Sequence, residues 1–221
     1  MVRTAVDRAT VEQALARLGE QFEQLIRSLP ADDGWRPVPT CEGWSVADVA
    51  AHVVTVWRRA IHDLRRSETA EATSGLNATC LDEMPERDLG TLADLLAVDG
   101  AAARSLMASL PDDLELAFHA GTTTTIVPAS CVVIAELVVH GFDVAAATGS
   151  PWRTDDDAAA VALDGFDDLL RAGWLAPNDA PLLDRVLDQR PSTSTLLLEL
   201  LGRLPPSSEA TAALVAALRP I

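Results

Sequence analysis

The chain has 221 residues, 48% of them hydrophobic, and sets 33 Asp and Glu against 17 basic residues for a formal net charge of −16. That length buries one sizeable core. The acidic balance repels phosphate backbones and anionic headgroups, so nucleic acid and membrane surface are both poor partners. Every basic residue is Arg and Tyr is absent, which excludes a lysine Schiff base and a tyrosine general acid. Carboxylates, thiols and the four histidines, His52, His62, His119 and His140, remain for chemistry. Cys41, Cys80 and Cys131 are odd in number, widely spaced and free of any CxxC pattern, and read as reduced thiols. The N-terminal run MVRTAVDRATVEQAL lacks a continuous apolar core, and no uncharged apolar run reaches spanning length. The expectation is a soluble, cytoplasmic protein, monomeric or homodimeric.

Apolar residues, mostly Ala and Leu, recur at spacings of three and four through most of the chain, which predicts an all-α fold. A first helix is expected over about Val6 to Leu29, stopped by Pro30. A second starts after Ser45, where S-V-A-D reads as a capping box with Asp48 at its third position, and runs to about Arg66. Residues 67 to 90 are polar and read as a long crossover between bundle helices. A third helix is expected from about Thr91 to Leu110, followed by a partly extended stretch, Leu114 to Val127, able to form a short hairpin. A fourth starts near Ala129, after Pro128, and ends at T-G-S-P with Gly149 as its cap. A fifth covers Asp155 to Trp174, and short helices punctuated by proline follow. The expected organisation is a bundle over 1–150 and a helical C-terminal extension over 151–221 packed on it.

Between His119 and Ser150 there is no Arg, and the only carboxylates are Glu136 and Asp143. On a helix Glu136 and His140 are one turn apart, and Asp143 returns to within about 20° of Glu136, so the three form one narrow stripe. Val132, Val133 and Val139 flank it. The plainest reading is the solvated face of an amphipathic helix. Solvated faces in this chain, however, carry Arg and several acids, whereas an ionised Glu among valines needs a cation or a proton. His52, on the second helix, supplies a third donor. Two imidazoles and one carboxylate form a common bundle-core metal set that leaves coordination positions open.

Arg59, two turns after His52, is either a clamp for a substrate carboxylate or a surface residue paired with an acid. Asp143 suits a partner for the free ring nitrogen of a ligating histidine. Cys41 stands before the capped start of the second helix, where the helix dipole lowers a thiol pKa, and is either a nucleophile or, more plainly, a small packed residue. Trp44, in a staple-like position, reads as core rather than ligand platform. His62 and His119 read as structural or exposed.

The runs P-T-C-E-G-W-S-V-A-D-V-A-A-H (Pro39 to His52) and E-L-V-V-H-G-F-D-V-A-A-A-T-G (Glu136 to Gly149) resemble the mycothiol-dependent maleylpyruvate isomerase family, within the wider DinB-like metal-binding bundles. The similarity covers about residues 8 to 150, and L-L-L-E-L-L-G-R-L-P resembles the tail of shorter, bundle-only members. The resemblance implies a DinB-like four-helix bundle with crossover connections. It implies a divalent metal, often zinc in the family, held by His52, Glu136 and His140, with mycothiol, the low-molecular-weight thiol of actinobacteria, as cosubstrate.

A thiolate that adds to a conjugated double bond and is later eliminated gives cis/trans isomerisation; one that displaces a leaving group or opens a strained ring gives S-transfer. The maleylpyruvate isomerases carry a separate α/β C-terminal domain, whereas residues 151–221 here read as short helices, which fits thiol transfer to some other electrophilic small molecule. Two alternatives stay open: a non-catalytic, metal-containing bundle that binds a small molecule, and a Glu–His pair with no metal.

Overall fold

The structure is a computed structural model that describes residues 6–66, 76–118, 122–153, 155–169, 179–189 and 192–218. His119, the His62 side chain, Trp174 and part of the 67–90 connection lie outside what it describes. The fold is all-α apart from one small hairpin. Four helices of 21 to 23 residues make the bundle: α1 (Arg8–Ser28), α2 (Val46–Arg66), α4 (Leu89–Ser109) and α5 (Ile126–Thr148). A short helix, α3 (Leu76–Asp82), lies within the connection from α2 to α4. Four more follow: α6 (Asp156–Leu169), α7 (Ala180–Gln189), α8 (Thr193–Leu200) and α9 (Glu209–Ala217).

Neighbour relations show why long connections are needed. α1 and α2 each pack on both α4 and α5, while α1–α2 and α4–α5 contacts are sparse. α1 and α2 therefore occupy one pair of opposite corners of the bundle, and α4 and α5 the other. The core between them is filled by Leu18, Phe22 and Ile26 from α1, Val53, Val54 and Trp57 from α2, Leu92 from α4, and Ile134, Leu137 and Val138 from α5, all at most 1% exposed. Removing each such side chain from water contributes about 1.5–3 kcal/mol before the entropy of ordering it is counted.

The helix ends follow local chemistry. At the start of α2 the Ser45 hydroxyl accepts from the Asp48 amide at 3.2 Å and the Asp48 carboxylate accepts from the Ser45 amide at 2.9 Å, a reciprocal capping box. Asp88 caps α4 through the Thr91 amide, so that helix starts at Leu89, two residues before the expected Thr91. α5 corrects the sequence reading further. It begins at Ile126, not Ala129, because Pro128 sits in the first turn, where its missing N–H has no intrahelical partner to lose. Gly149, at φ 73°, closes α5 in the left-handed region. Three of the four threonines supply one strand of the hairpin, with Leu116–Phe118 (β1) antiparallel to Thr122–Thr124 (β2).

α5 is apolar enough, at mean hydropathy 1.7, to cross a membrane by length and composition, but 61% of that stretch is buried inside the protein. It is the helix around which α1, α2, α6 and α8 gather. Two glycines let neighbours come close. At Gly165 on α6 an ideal Cβ would lie 2.1 Å from the Cβ of Cys131 on α5. At Gly141 it would lie 2.0 Å from the indole of Trp152, which folds back from the segment after α5 and meets Phe22 of α1 edge-on. Gly141→Ala is expected to lever that indole out of its seat. Red-shifted tryptophan emission, absent when the substitution is made in a Trp152→Phe background, is the check.

Candidate metal centre

α2 and α5 are neighbouring corners of the bundle, so the inward faces of both meet where His52 and the Glu136 stripe stand. His52 Nε2 lies 3.3 Å, and His140 Nε2 3.0 Å, from the same oxygen, Glu136 Oε2. The two imidazoles meet edge to face with ring centroids 4.9 Å apart. Their three donor atoms fall within 4.8 Å of one another. His52 and His140 are buried, at 2% and 5% exposure, whereas the Glu136 side chain keeps 31% of its surface open to a cavity of about 450 Å³. Glu136 and His140 thus face a partly enclosed cavity with Asp143 buried behind them, and the stripe is not a solvated outer face.

Electrostatics distinguish the two histidines. Burial pushes the His52 imidazole below its ordinary value, against the pull of Glu136, which leaves it neutral. His140 is buried too, but its bonds with Asp143, Cys41 and Glu136 outweigh desolvation and hold it well above the usual histidine range. Burial would likewise raise the Glu136 carboxyl, yet the hydrogen bonds from His140 and His52 keep it well below the usual range. A His140 proton therefore meets the demand of Glu136 for a positive charge in the metal-free protein. His52 Nδ1 is buried and has no partner among the described residues.

Behind His140 lies a carboxylate with no exposed surface. Asp143 Oδ2 accepts from His140 Nδ1 at 2.9 Å, and Oδ1 accepts from the Thr40 hydroxyl at 2.6 Å. Desolvation would raise Asp143, but His140 and Arg203 pull it far below the ordinary carboxylate range.

Residues 15–145 match the family model described as the mycothiol maleylpyruvate isomerase N-terminal domain. That stretch is more than half of the chain and contains His52, Glu136, His140 and Asp143. The chain belongs to this family. No curated protein and no solved structure matches it.

In this member of the mycothiol maleylpyruvate isomerase N-terminal domain family, the cavity walls draw on more of the chain than the family match. Arg59 and Asn77 form one side, with Arg59 Nη1 donating to Asn77 Oδ1 at 3.0 Å. Among the described residues the structure records that amide, not an acid, as its partner, and the guanidinium borders the cavity. Trp44 packs against the core, as expected, and is half-buried; it also lines the cavity and lies over both imidazoles, with centroids 5.1 Å from His52 and 6.5 Å from His140. Cys41 also faces the cavity, with its thiol donating to Asp143 Oδ2 at 3.3 Å.

Phe166 of α6, together with Leu201 and Arg203 just after α8, completes the wall. Sequence reasoning did not single out these three as site residues. Arg203 stands in the L-L-G-R-L-P run noted as resembling shorter members, and that run was the one signal available.

Proposed function

We propose that the protein is a metal-dependent enzyme that uses mycothiol to act on an electrophilic small molecule, by thiol S-transfer or by thiol-assisted cis/trans isomerisation. The observation that carries this reading is the convergence of two buried imidazoles and one cavity-facing carboxylate on a single point, in a chain of a mycothiol-related family. The donor set suits a divalent ion, zinc above all, and keeps positions open towards the cavity. Bound there, such an ion would favour the thiolate of an incoming thiol at neutral pH, the form that attacks electrophilic carbon.

The chain's own groups have separable tasks. His52, Glu136 and His140 hold the ion. Asp143 accepts the Nδ1 proton of His140, which leaves Nε2 directed at Glu136. Arg59, at the cavity wall, binds an anionic group of the substrate. The division expected from the sequence, a metal-holding bundle over 1–150 and a helical extension over 151–221, suits this reading, with Phe166, Leu201 and Arg203 of the later part lining the cavity. The acidic surface and the buried position of the apolar α5 agree with a cytoplasmic protein that uses neither nucleic acid nor membrane as partner.

The test is calorimetric titration of mycothiol into zinc-loaded and chelator-stripped protein. Binding is expected only with zinc present, and equal binding to both forms would overturn the reading. A pH series supplies a second check. The folded structure holds the His140 proton above its ordinary value, so zinc must displace it, and zinc affinity is expected to rise with pH, by up to about tenfold per unit for one proton displaced. A flat profile between pH 5.5 and 8, pH values set by the experimenter at about the histidine range, would contradict this assignment of His140.

A further inference from the structure

Arg203 sits 60 residues beyond Asp143 and outside the family match, yet its guanidinium closes on that carboxylate. Nε donates to Oδ1 at 3.1 Å and Nη2 to Oδ2 at 2.9 Å, the two-pronged geometry in which an arginine fixes a carboxylate plane. Nη2 also lies 3.5 Å from Cys41 Sγ, and Nη1 donates to the Leu201 carbonyl at 2.8 Å. Asp143 thus receives donors from three separate stretches of chain: Thr40 and Cys41 before α2, His140 on its own helix, and Arg203 after α8.

The arrangement also separates two candidate metal sets. Cys41, His140 and Asp143 bring thiol, imidazole and carboxylate donors within 4.8 Å, as His52, Glu136 and His140 do. The first set already has its cation, because Arg203 touches both Asp143 and Cys41. A metal there would face a guanidinium at contact distance. Among the described residues no guanidinium bonds to His52, Glu136 or His140, although Arg59 and Arg203 stand near enough to act on that set electrostatically.

We propose that Arg203 is a positioning residue for the His52–Glu136–His140 centre. It neutralises and orients Asp143, and Asp143 in turn keeps His140 Nδ1 as a proton donor and Nε2 turned to Glu136. The proposal rests on the metal reading above. Without the guanidinium, a fully buried carboxylate loses its bidentate partner, and the ring orientation it imposes on His140 loosens. The Arg203 backbone does not depend on this side chain. Its amide donates to the Leu198 carbonyl at 2.8 Å, following Gly202 at φ 73°, so the turn after α8 closes whatever residue stands at 203.

The experiment uses the full chain with Arg203→Ala, Arg203→Lys, Asp143→Asn and the Arg203→Ala/Asp143→Asn pair. Zinc affinity is read by competition with a chromophoric chelator, and folding by thermal melts. Arg203→Ala is expected to weaken zinc about 10–100-fold, with part of the loss recovered in Arg203→Lys, which keeps the charge without the fork. In the Asp143→Asn background the same Arg203→Ala change is expected to shift affinity less than about twofold, because the route through the carboxylate is gone. A folded Arg203→Ala protein with the parent's affinity overturns the proposal, as does an equal loss in both backgrounds. Should Arg203→Ala fail to fold, Arg203→Lys decides alone, and parental affinity in it is the overturning result.

A parent that binds no zinc overturns the proposed function instead. The positioning role is then read in metal-free protein from the His140 Nδ1 proton, expected as a slowly exchanging resonance in the parent and lost in Arg203→Lys or Arg203→Ala. Its persistence in those variants would sink the inference.

Discussion

A single methyl group added at Gly165 is expected to destabilise the protein by about 3 kcal/mol, lowering its melting midpoint by about 6–12 °C for a chain of this size. The new Cβ would fall 2.1 Å from Cys131 Cβ and 2.6 Å from its Sγ, with the Pro128 Cα at 3.5 Å behind. A Cβ cannot rotate away, so α5 and α6 must separate, and α5 makes its most extensive packing with α6. The clash names its own suppressor. Cys131→Ala keeps the offending Cβ and is expected to give no relief. Cys131→Gly removes it and is expected to recover most of the loss, less about 1 kcal/mol for a glycine inside a helix. Thermal melts of the four proteins decide the matter. Equal rescue by alanine and glycine would show that the sulfur, not the Cβ contact, sets the spacing.

Loss of either histidine is expected to abolish metal retention. The parent should carry about one equivalent of zinc, and His52→Ala or His140→Ala should bind it more than about a hundredfold more weakly. Zinc at about 100 times its dissociation constant should also stabilise the parent by about 2.7 kcal/mol, a gain absent from both variants.

The two variants should differ once metal is stripped. His52 Nδ1 has no partner among the described residues and Nε2 meets only Glu136, so His52→Ala gives up little hydrogen bonding. His140→Ala removes the group between two carboxylates, leaving Glu136 and Asp143 with one fewer positive neighbour each, and is expected to cost about 3 kcal/mol or more. Elemental analysis and paired melts with and without chelator provide the measurements. Full zinc occupancy in His52→Ala would remove α2 from the centre.

The contrast between these residues shows what a sequence carries. The Glu136–His140–Asp143 stripe was legible because helical periodicity alone brings i, i+4 and i+7 onto one line. The Ser45–Asp48 box and Gly149 were legible for the same local reason, since caps depend on residues a few positions apart. Arg203 and Thr40 were not, because their bonds to Asp143 span 60 and 103 residues and depend on how the helices pack. Trp44 packs on the core as its position suggested, but its contact with the cavity was not legible, because a place before a helix says nothing of which neighbour leaves a space beside it. The early start of α5 was hidden by Pro128, a residue that ends helices in general and is harmless in a first turn.

The cavity has two kinds of boundary, and they come from different parts of the molecule. Its floor is built within the long bundle helices, while Phe166 and Leu201 enter from segments after α5. Neither residue belongs to the donor set, so substitutions at those two positions reshape the space without removing a donor. The later stretch therefore carries both kinds of wall residue: Phe166 and Leu201, where the shape of the space can be redesigned, and Arg203, whose bond to Asp143 ties that stretch to the floor.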